Sequence, residues 1–338
     1  MNHTDPTPVT DLIQAFRRSQ TMFTAVSLGV FDLLESGGKS VEALAVETRN
    51  DLRALRRLLD GCVGLGLLEK CDGVYSNAAV AEEYLRRRSP STLAGYILYS
   101  KDALYPMWGN LEDAVREGTP RWNQTFALEG GIFSGFFRTP QAKHEFLLCM
   151  HGFGLLSSPA VVRVFNLGRF RRLVDLGGGT GHLAIAACER YGALHGTVFD
   201  LPEAIAEARP HIAASSAADR LELVAGDFFN DRLPPADLYA LGRIIHDWDD
   251  ARIGVLLRKV HAALPPGGGI LLAETLLDDD HCGPAGTLMQ SLNMLVCTEG
   301  RERSVEEYRE LLESFGFEQV EGRRTGAPLD AVLAIRKE

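Results

Sequence analysis

Apolar residues recur at helical spacing from Asp11 to Glu35 and stop at Gly37-Gly38, which predicts one long N-terminal helix. Ser40 stands at the N-cap of a predicted short helix, Val41 to Glu47, and a further helix is expected from about Asp51 to Gly64. From Gly66 to Ser76 two short apolar runs flank Asp72-Gly73, the signature of a tight hairpin. The chain reads as almost wholly helical up to about Val164. Past Asn166 the pattern becomes strand–helix alternation. Arg172–Leu176, Gly196–Leu201, Leu221–Ala225, Asp237–Leu241 and Gly269–Glu274 read as short buried strands. His182–Tyr191, Glu203–Ala214 and Ala251–Leu264 read as the helices among them. A helix Val305–Phe315 and two strands, Phe317–Arg323 and Leu329–Arg336, close the pattern. The short Thr325-Gly326 turn makes the last two strands antiparallel at the sheet edge.

Alternation of this kind implies an α/β fold, a Rossmann-like parallel sheet with helices on both faces. The expected domains are a helical one over residues 1–164 and the α/β one over 165–338. The two helices and hairpin of the first resemble a winged helix. Arg49, Arg53, Arg56 and Arg57 lie on or beside its second helix, yet residues 1–100 hold 11 Lys and Arg against 12 Asp and Glu. A region without a basic excess is not expected to bind nucleic acid, so the shape is assigned to dimerisation.

Net charge −10 reinforces that exclusion but leaves room for a cationic small molecule. The six cysteines, Cys62, Cys71, Cys149, Cys188, Cys282 and Cys297, include no C-x-x-C pair and no metal-finger spacing. Asp278-Asp279-Asp280-His281 reads as a solvated loop, so no metal is expected. Met1 to Thr10 lacks the basic and apolar regions of a signal peptide, and the apolar runs fall short of a membrane span. The expectation is a soluble, cytoplasmic protein.

Open parallel sheets bind ligands at the carboxyl ends of their strands. The first strand ends in Asp175-Leu176-Gly177-Gly178-Gly179-Thr180-Gly181. Its glycines, Gly177, Gly179 and Gly181, allow tight turning and close ligand approach. The spacing is not the dinucleotide G-x-G-x-x-G, because His182 replaces the last glycine. Asp200 ends the second strand, where a carboxylate can accept both hydroxyls of a ribose. Gly226-Asp227-Phe228 ends the third, offering an acceptor for an adenine amino group and a ring to cover its face.

These strand ends together resemble the class I S-adenosylmethionine methyltransferases. Arg243-Ile244-Ile245-His246-Asp247-Trp248, Pro266-Gly267-Gly268-Gly269, Glu274 and Glu299-Gly300-Arg301-Glu302-Arg303 resemble the plant-type small-molecule O-methyltransferases. Ser291 to Val296, followed by Thr298-Glu299-Gly300, resembles the acetylserotonin O-methyltransferase branch. The resemblance implies S-adenosylmethionine as cofactor, S-adenosylhomocysteine as product, no metal and a homodimer. In that dimer the first helices, including Met22-Phe23 and Val30-Phe31, would form the interface and help close the partner's pocket.

The implied reaction is displacement of the methyl group by a small aromatic hydroxyl, a phenol or hydroxyindole. A phenol of pKa about 10 needs a base near neutrality, and a histidine suits that task. His246 is the expected base, with Glu302 and Glu274 as its orienting carboxylates. Arg243 and Trp248 are expected beside the cofactor. Trp108, Phe146, Met150, His151, Asp247, Asn293 and Met294 are expected around the acceptor. Asn293 matches an amide-contacting asparagine of the acetylserotonin branch, whereas Cys297 stands where vertebrate melatonin-forming enzymes carry glutamine. Two rival readings remain: a methyltransferase-fold hydroxylase or decarboxylase acting on polyketides, and a non-catalytic regulator. His246 with a carboxylate partner argues against the first, and the acidic N-terminal region against the second.

Overall fold

The structure is a computed structural model that describes residues 4–129, 135 and 137–337. The described chain forms two compact units, divided between Ala103 and Leu104.

The first unit opens with helix Thr7–Ser27. The single helix expected to run to Glu35 is broken. Gly29 adopts φ +70, which the helix cannot continue through, and a separate turn of helix spans Val30–Leu33. Ser40 caps helix Val41–Thr48 by accepting from Ala43 N at 3.3 Å, and Asp51 caps Leu52–Gly64 by accepting from Ala54 N at 2.8 Å. Strand β1 (Lys39–Ser40) pairs with β3 (Val74–Asn77), which pairs with β2 (Leu68–Cys71). The β2–β3 turn holds Asp72 at φ 48 and Gly73 at φ 80, the two positive values of a type I′ hairpin turn. Arg56 pairs with Glu42 at 3.0 Å, so this arginine belongs to a local ion pair.

Phe23, Val30 and Phe31 are not available as an interface, contrary to the sequence expectation. They are buried in this unit's own core with Leu44, Leu55 and Leu59. The exposed apolar row is instead Val9, Leu12, Ile13 and Phe16, each at least half exposed and spaced i, i+3, i+4, i+7 on the first helix.

The second unit is built on a seven-stranded sheet. Its strands are β4 (Arg172–Leu176), β5 (His195–Asp200), β6 (Leu221–Ala225), β7 (Leu238–Gly242), β8 (Gly269–Glu274), β11 (Phe317–Arg323) and β12 (Asp330–Arg336). Their order is β11-β12-β8-β7-β4-β5-β6. A separate short pair joins β9 (Leu276–Leu277) to β10 (Arg303–Ser304) in parallel. Neighbours from β8 to β6 are parallel, and β8 is buried at every position, as a strand covered on both faces must be. The predicted antiparallel end pair is present. Strand β12 lies antiparallel between β8 and β11, and its apolar residues Ala331–Ile335 are all buried. The order reverses between β4 and β7, so the crevice at their carboxyl ends is the topological switch point.

Packing divides the chain elsewhere than the 164/165 change of pattern. The long helix Pro140–Val164 packs on helix His182–Arg190, and the short helices Tyr105–Trp108 and Leu111–Glu117 pack on helix Ala285–Cys297. These helices therefore belong to the unit that carries the sheet. Pro140–Val164 is also long and apolar enough by length and composition to cross a membrane, which corrects the estimate of short apolar runs. Half of its apolar window is buried inside the protein, and Ser158 and His151 on it bond to His182 and Thr180.

Candidate active site

The glycine-rich turn after β4 is shaped by steric necessity. Gly177, Gly179 and Gly181 take φ +67, +56 and +82. A Cβ on Gly181 would lie 2.9 Å from Ile212 and 3.0 Å from Val198, and one on Gly178 would lie 2.8 Å from the Asp175 carboxyl. Asp175 is buried beneath the turn and accepts from Ala184 N at 3.3 Å. Burial lifts its pKa to about 7. Asp200, at the end of β5, accepts from Gly179 N and Leu201 N, both at 2.7 Å, and burial lifts it to about 6. The glycine turn and the second-strand acid are thus joined by a direct hydrogen bond.

At the end of β6, a Cβ on Gly226 would run into the Phe199 ring, 2.5 Å from Cε2. Asp227 turns its carboxylate to its own loop, accepting from Phe229 N at 2.8 Å and Asn230 Nδ2 at 2.6 Å. Phe228 is buried against Phe229, ring centroids 4.8 Å apart, and Phe229 meets Trp248 edge-on at 5.0 Å. The Arg252 guanidinium lies 4.6 Å from the Trp248 centroid. Phe229 and Arg252 escaped the sequence reading, although Phe229 adjoins Phe228 and Arg252 is one helical turn past Trp248. Arg243 takes φ +58 after β7 and sets its guanidinium 4.9 Å from the Phe153 centroid. Its buried Nε has no hydrogen-bond partner among the described residues.

The turn after β7 carries His246, 2% exposed. Its Nδ1 is 2.6 Å from Glu302 Oε1 and 3.3 Å from Glu274 Oε2, and its Nε2 is 3.7 Å from Asp247 Oδ1. A carboxylate only accepts, so Nδ1 carries the proton of the Glu302 bond, and Nε2 is left as the basic nitrogen of the neutral ring. Glu274 Oε1 also accepts from Ile244 N at 3.1 Å and Ile245 N at 3.0 Å, which pins the turn to the end of β8. Burial pulls the His246 pKa down, but the charges of Glu274, Glu302 and Asp247 outweigh it and hold the ring at about 9. Burial raises Glu274 to about 7 and Asp247 to about 6.

His246, Glu274 and Glu302 are also a plausible donor set for a metal ion. Tetrahedral ligands about 2.0 Å from zinc stand about 3.3 Å apart. The 2.6 Å approach of Nδ1 to Glu302 is closer than that and is the length of a charge-assisted hydrogen bond.

Among the expected acceptor residues, the structure joins Trp108 to Asn293: the indole Nε1 donates to Asn293 Oδ1 at 2.9 Å. Cys297 Sγ is 3.6 Å from the same oxygen. Met294 is buried at 3% exposure, whereas Phe146 and Met150 are half-buried on helix Pro140–Val164. Phe146 meets Phe137 edge-on at 6.2 Å. His151 bonds to Thr180 of the glycine turn at 2.8 Å and stacks on His211 with centroids 3.9 Å apart.

An O-methyltransferase domain matches residues 108–318, and an O-methyltransferase dimerisation domain matches residues 10–87. Acetylserotonin O-methyltransferase of Bos taurus is 41% identical over 326 residues, covering 94% of each chain. A Homo sapiens protein described as a probable bifunctional dTTP/UTP pyrophosphatase/methyltransferase is 40% identical over 335 residues. The match covers 98% of this chain and 54% of that one, so the chain spans about half that relative's length. The crystal structure of human N-acetylserotonin methyltransferase in complex with SAM superposes with TM-score 0.94 at 37% identity, covering 100% of both chains. The chain belongs to the O-methyltransferase family, with that family's dimerisation domain ahead of its O-methyltransferase domain.

Proposed function

We propose that this O-methyltransferase moves a methyl group from S-adenosylmethionine to the hydroxyl oxygen of a small aromatic acceptor, a phenol or an acetylserotonin-like hydroxyindole, with His246 as the base. The observation that carries the reading is the 2.6 Å bond from His246 Nδ1 to Glu302, which leaves Nε2 as the proton-accepting nitrogen. The residues present fit the cofactor. Gly177–Gly181 form a turn with no room for side chains at Gly178 and Gly181. Asp200 offers a carboxylate beside it, and Arg243 Nε has no hydrogen bond of its own among the described residues. When bound, S-adenosylmethionine supplies an electrophilic methyl group on a sulfonium.

The chain's own residues do the remaining work. His246 Nε2 takes the hydroxyl proton as the acceptor oxygen attacks, and Glu302 and Glu274 stabilise the imidazolium that forms. Asp247 shares the Nε2 side and orients the acceptor. Phe228, Phe229 and Trp248 form an apolar wall for the adenine ring. A screen of hydroxyindoles, simple phenols and polycyclic phenols with methyl-labelled cofactor tests the reaction. Absence of transfer to every one of them overturns it.

Two further outcomes follow from the geometry. Asp200→Ala removes both the proposed ribose contact and the anchor of Gly179 N. Charge-assisted bonds of this kind are worth about 1.5–3 kcal/mol, so S-adenosylmethionine affinity should fall roughly tenfold or more by calorimetry; unchanged affinity refutes the placement. The exposed row Val9, Leu12, Ile13 and Phe16 is the face on which we expect a two-fold homodimer to form. Light scattering should show a dimer at micromolar concentration, and Leu12→Glu with Phe16→Glu should shift it to monomer. A wild-type monomer with full activity refutes the assembly.

A further inference from the structure

His182 is the residue that breaks the dinucleotide glycine spacing, and the strand-end pattern that pointed to the cofactor left it without a role. It opens helix His182–Arg190 directly after Gly181. Its ring is set against helix Pro140–Val164 at Gly154. A Cβ on Gly154 would lie 2.2 Å from its Cγ and 2.3 Å from its Cδ2 and Nδ1, so any side chain at position 154 displaces the ring. One helical turn further on, buried Ser158 Oγ stands 2.9 Å from His182 Nδ1. Two anchors on one helix therefore hold this imidazole, and Cε1 and Nε2 form the edge farther from Gly154.

The Ser158 bond fixes the tautomer. The Ser158 hydroxyl has no other hydrogen-bond partner among the described residues. Accepting from Nδ1 would leave its own buried proton unpaired, a cost that donating avoids. Ser158 therefore donates to Nδ1, and the neutral ring carries its proton on Nε2. Burial drives the His182 pKa down to about 3, so the ring is neutral near pH 7. Nε2–H makes no hydrogen bond among the described residues, and His182 is only half-buried.

Neighbouring contacts place that donor at the switch-point crevice. A Cβ on Gly242, the last residue of β7, would lie 3.6 Å from Leu183 Cδ2, and Arg243 comes next. The Arg243 guanidinium lies 4.9 Å from the centroid of Phe153, the residue before Gly154, and its buried Nε has no partner among the described residues. His151, one turn before Gly154, bonds to Thr180 at 2.8 Å. Contacts of helix Pro140–Val164 thus run from the glycine turn through His182 to Arg243. Strands β6, β5, β4 and β7 are consecutive neighbours in the sheet. With adenine at the end of β6 and ribose at the end of β5, the remaining part of S-adenosylmethionine, its amino-acid end, reaches β4 and β7. That end carries a carboxylate. His182 Nε2 and Arg243 Nε are donors without partners there, and the first turn of helix His182–Arg190 adds its positive dipole end.

We propose that His182 is a cofactor-binding residue: its Nε2–H, held in place by Gly154 and Ser158, joins Arg243 in binding the carboxylate of the amino-acid end of S-adenosylmethionine. A hydrogen bond to a charged acceptor is among the stronger ones, and a ring fixed beforehand loses little freedom in making it. This rests on the reading that the ribose lies at Asp200.

Two ligands separate the ends of the cofactor in calorimetry. S-adenosylhomocysteine has the amino-acid end, and methylthioadenosine keeps adenine, ribose and sulfur without it. His182→Ala should weaken S-adenosylhomocysteine roughly tenfold and leave methylthioadenosine within about twofold. His182→Gln, which carries an amide N–H to about the position of Nε2, should recover part of the loss. Gly154→Ala should also weaken S-adenosylhomocysteine, and should add nothing in His182→Ala, where the ring it displaces is gone. Asp200→Ala should weaken both ligands. An equal loss of both ligands in His182→Ala, or additive losses in the Gly154→Ala and His182→Ala double variant, shows a ring that merely packs the helix and overturns the inference. Unchanged S-adenosylhomocysteine affinity in His182→Ala, with both ligands weakened in Asp200→Ala, overturns it while the ribose placement stands. Unchanged affinity for both ligands in Asp200→Ala overturns the placement and the inference together.

Discussion

His246→Ala is expected to lower methyl transfer to a phenol by roughly 10² to 10⁴, the usual contribution of a general base. Cofactor affinity should stay near that of the unchanged protein, because the polar contacts of the imidazole among the described residues are with Glu302, Glu274 and Asp247, not with the glycine turn or Asp200. Glu302→Gln should cost less, since the imidazole remains while its 2.6 Å anchor weakens. The pH profile separates this role from a structural one. With the ring held at about 9 in the acceptor-free protein, the basic nitrogen is free in only a minor fraction at neutral pH. The wild-type rate should climb with pH and level off near 9. His246→Ala should lose that step, follow the ionisation of the phenol itself, and recover in part with a more acidic acceptor. Normal turnover by His246→Ala on a phenol of pKa about 10 rules out the base, leaving proximity as the source of rate.

The same ring links the site to stability. Its folded pKa of about 9 lies above the unfolded value near 6.5. The stabilisation it gives is therefore complete below about pH 6.5 and lost as pH rises through about 9. The melting temperature should fall across that window, and the fall should be smaller in His246→Gln. A stability curve of identical shape for both proteins would mean that the three acids do not hold a proton on His246.

Short-range signals carried most of what could be read from the chain. Ser40, Asp51 and the Asp72-Gly73 turn act through neighbours within a few residues, and each does what its type predicts. Glycine spacing and the strand-end acids were legible for the same reason, since Gly177–Gly181 and Asp200 follow directly from predicted strands. Long-range pairings were not. The His246–Glu302 bond spans 56 positions and was expected only through family resemblance. The Trp108–Asn293 bond had no local signature, because hydrogen bonding across 185 positions leaves no periodicity. Apolar residues were legible as apolar but not as core or surface. Phe23, Val30 and Phe31 fill their own unit, while Val9, Leu12, Ile13 and Phe16 remain outside. The break at Gly29 was hidden because apolar residues on both sides keep a helical spacing.

Gly300→Ala should cut the rate of methyl transfer by roughly 10², although residue 300 has no side chain to offer the reaction. A Cβ at this position would lie 2.7 Å from the His246 carbonyl carbon and 2.8 Å from Trp248 N, and closer still to His246 O. These are backbone atoms and cannot rotate aside. The same turn is also held by Glu274 Oε1, which accepts from Ile244 N and Ile245 N. Relief must therefore come from moving the 298–302 segment or the His246 turn, and either movement separates Nδ1 from Glu302 or shifts Nε2 relative to the acceptor. Displacements near 1 Å are enough for a loss of that size, and overpacking of this kind costs about 1–3 kcal/mol of stability. The variant should therefore fold with a melting temperature lowered by several degrees. It should show its main defect in kcat, with S-adenosylmethionine affinity affected less, because the bond from Gly179 N to Asp200 is not among the contacts displaced. Gly179→Ala is the control: its Cβ would meet nothing within 4 Å, but it carries the strain of φ +56 beside Asp200. Its loss should appear in cofactor affinity instead. Full activity in Gly300→Ala would show that the His246 turn is not held as tightly as these contacts require.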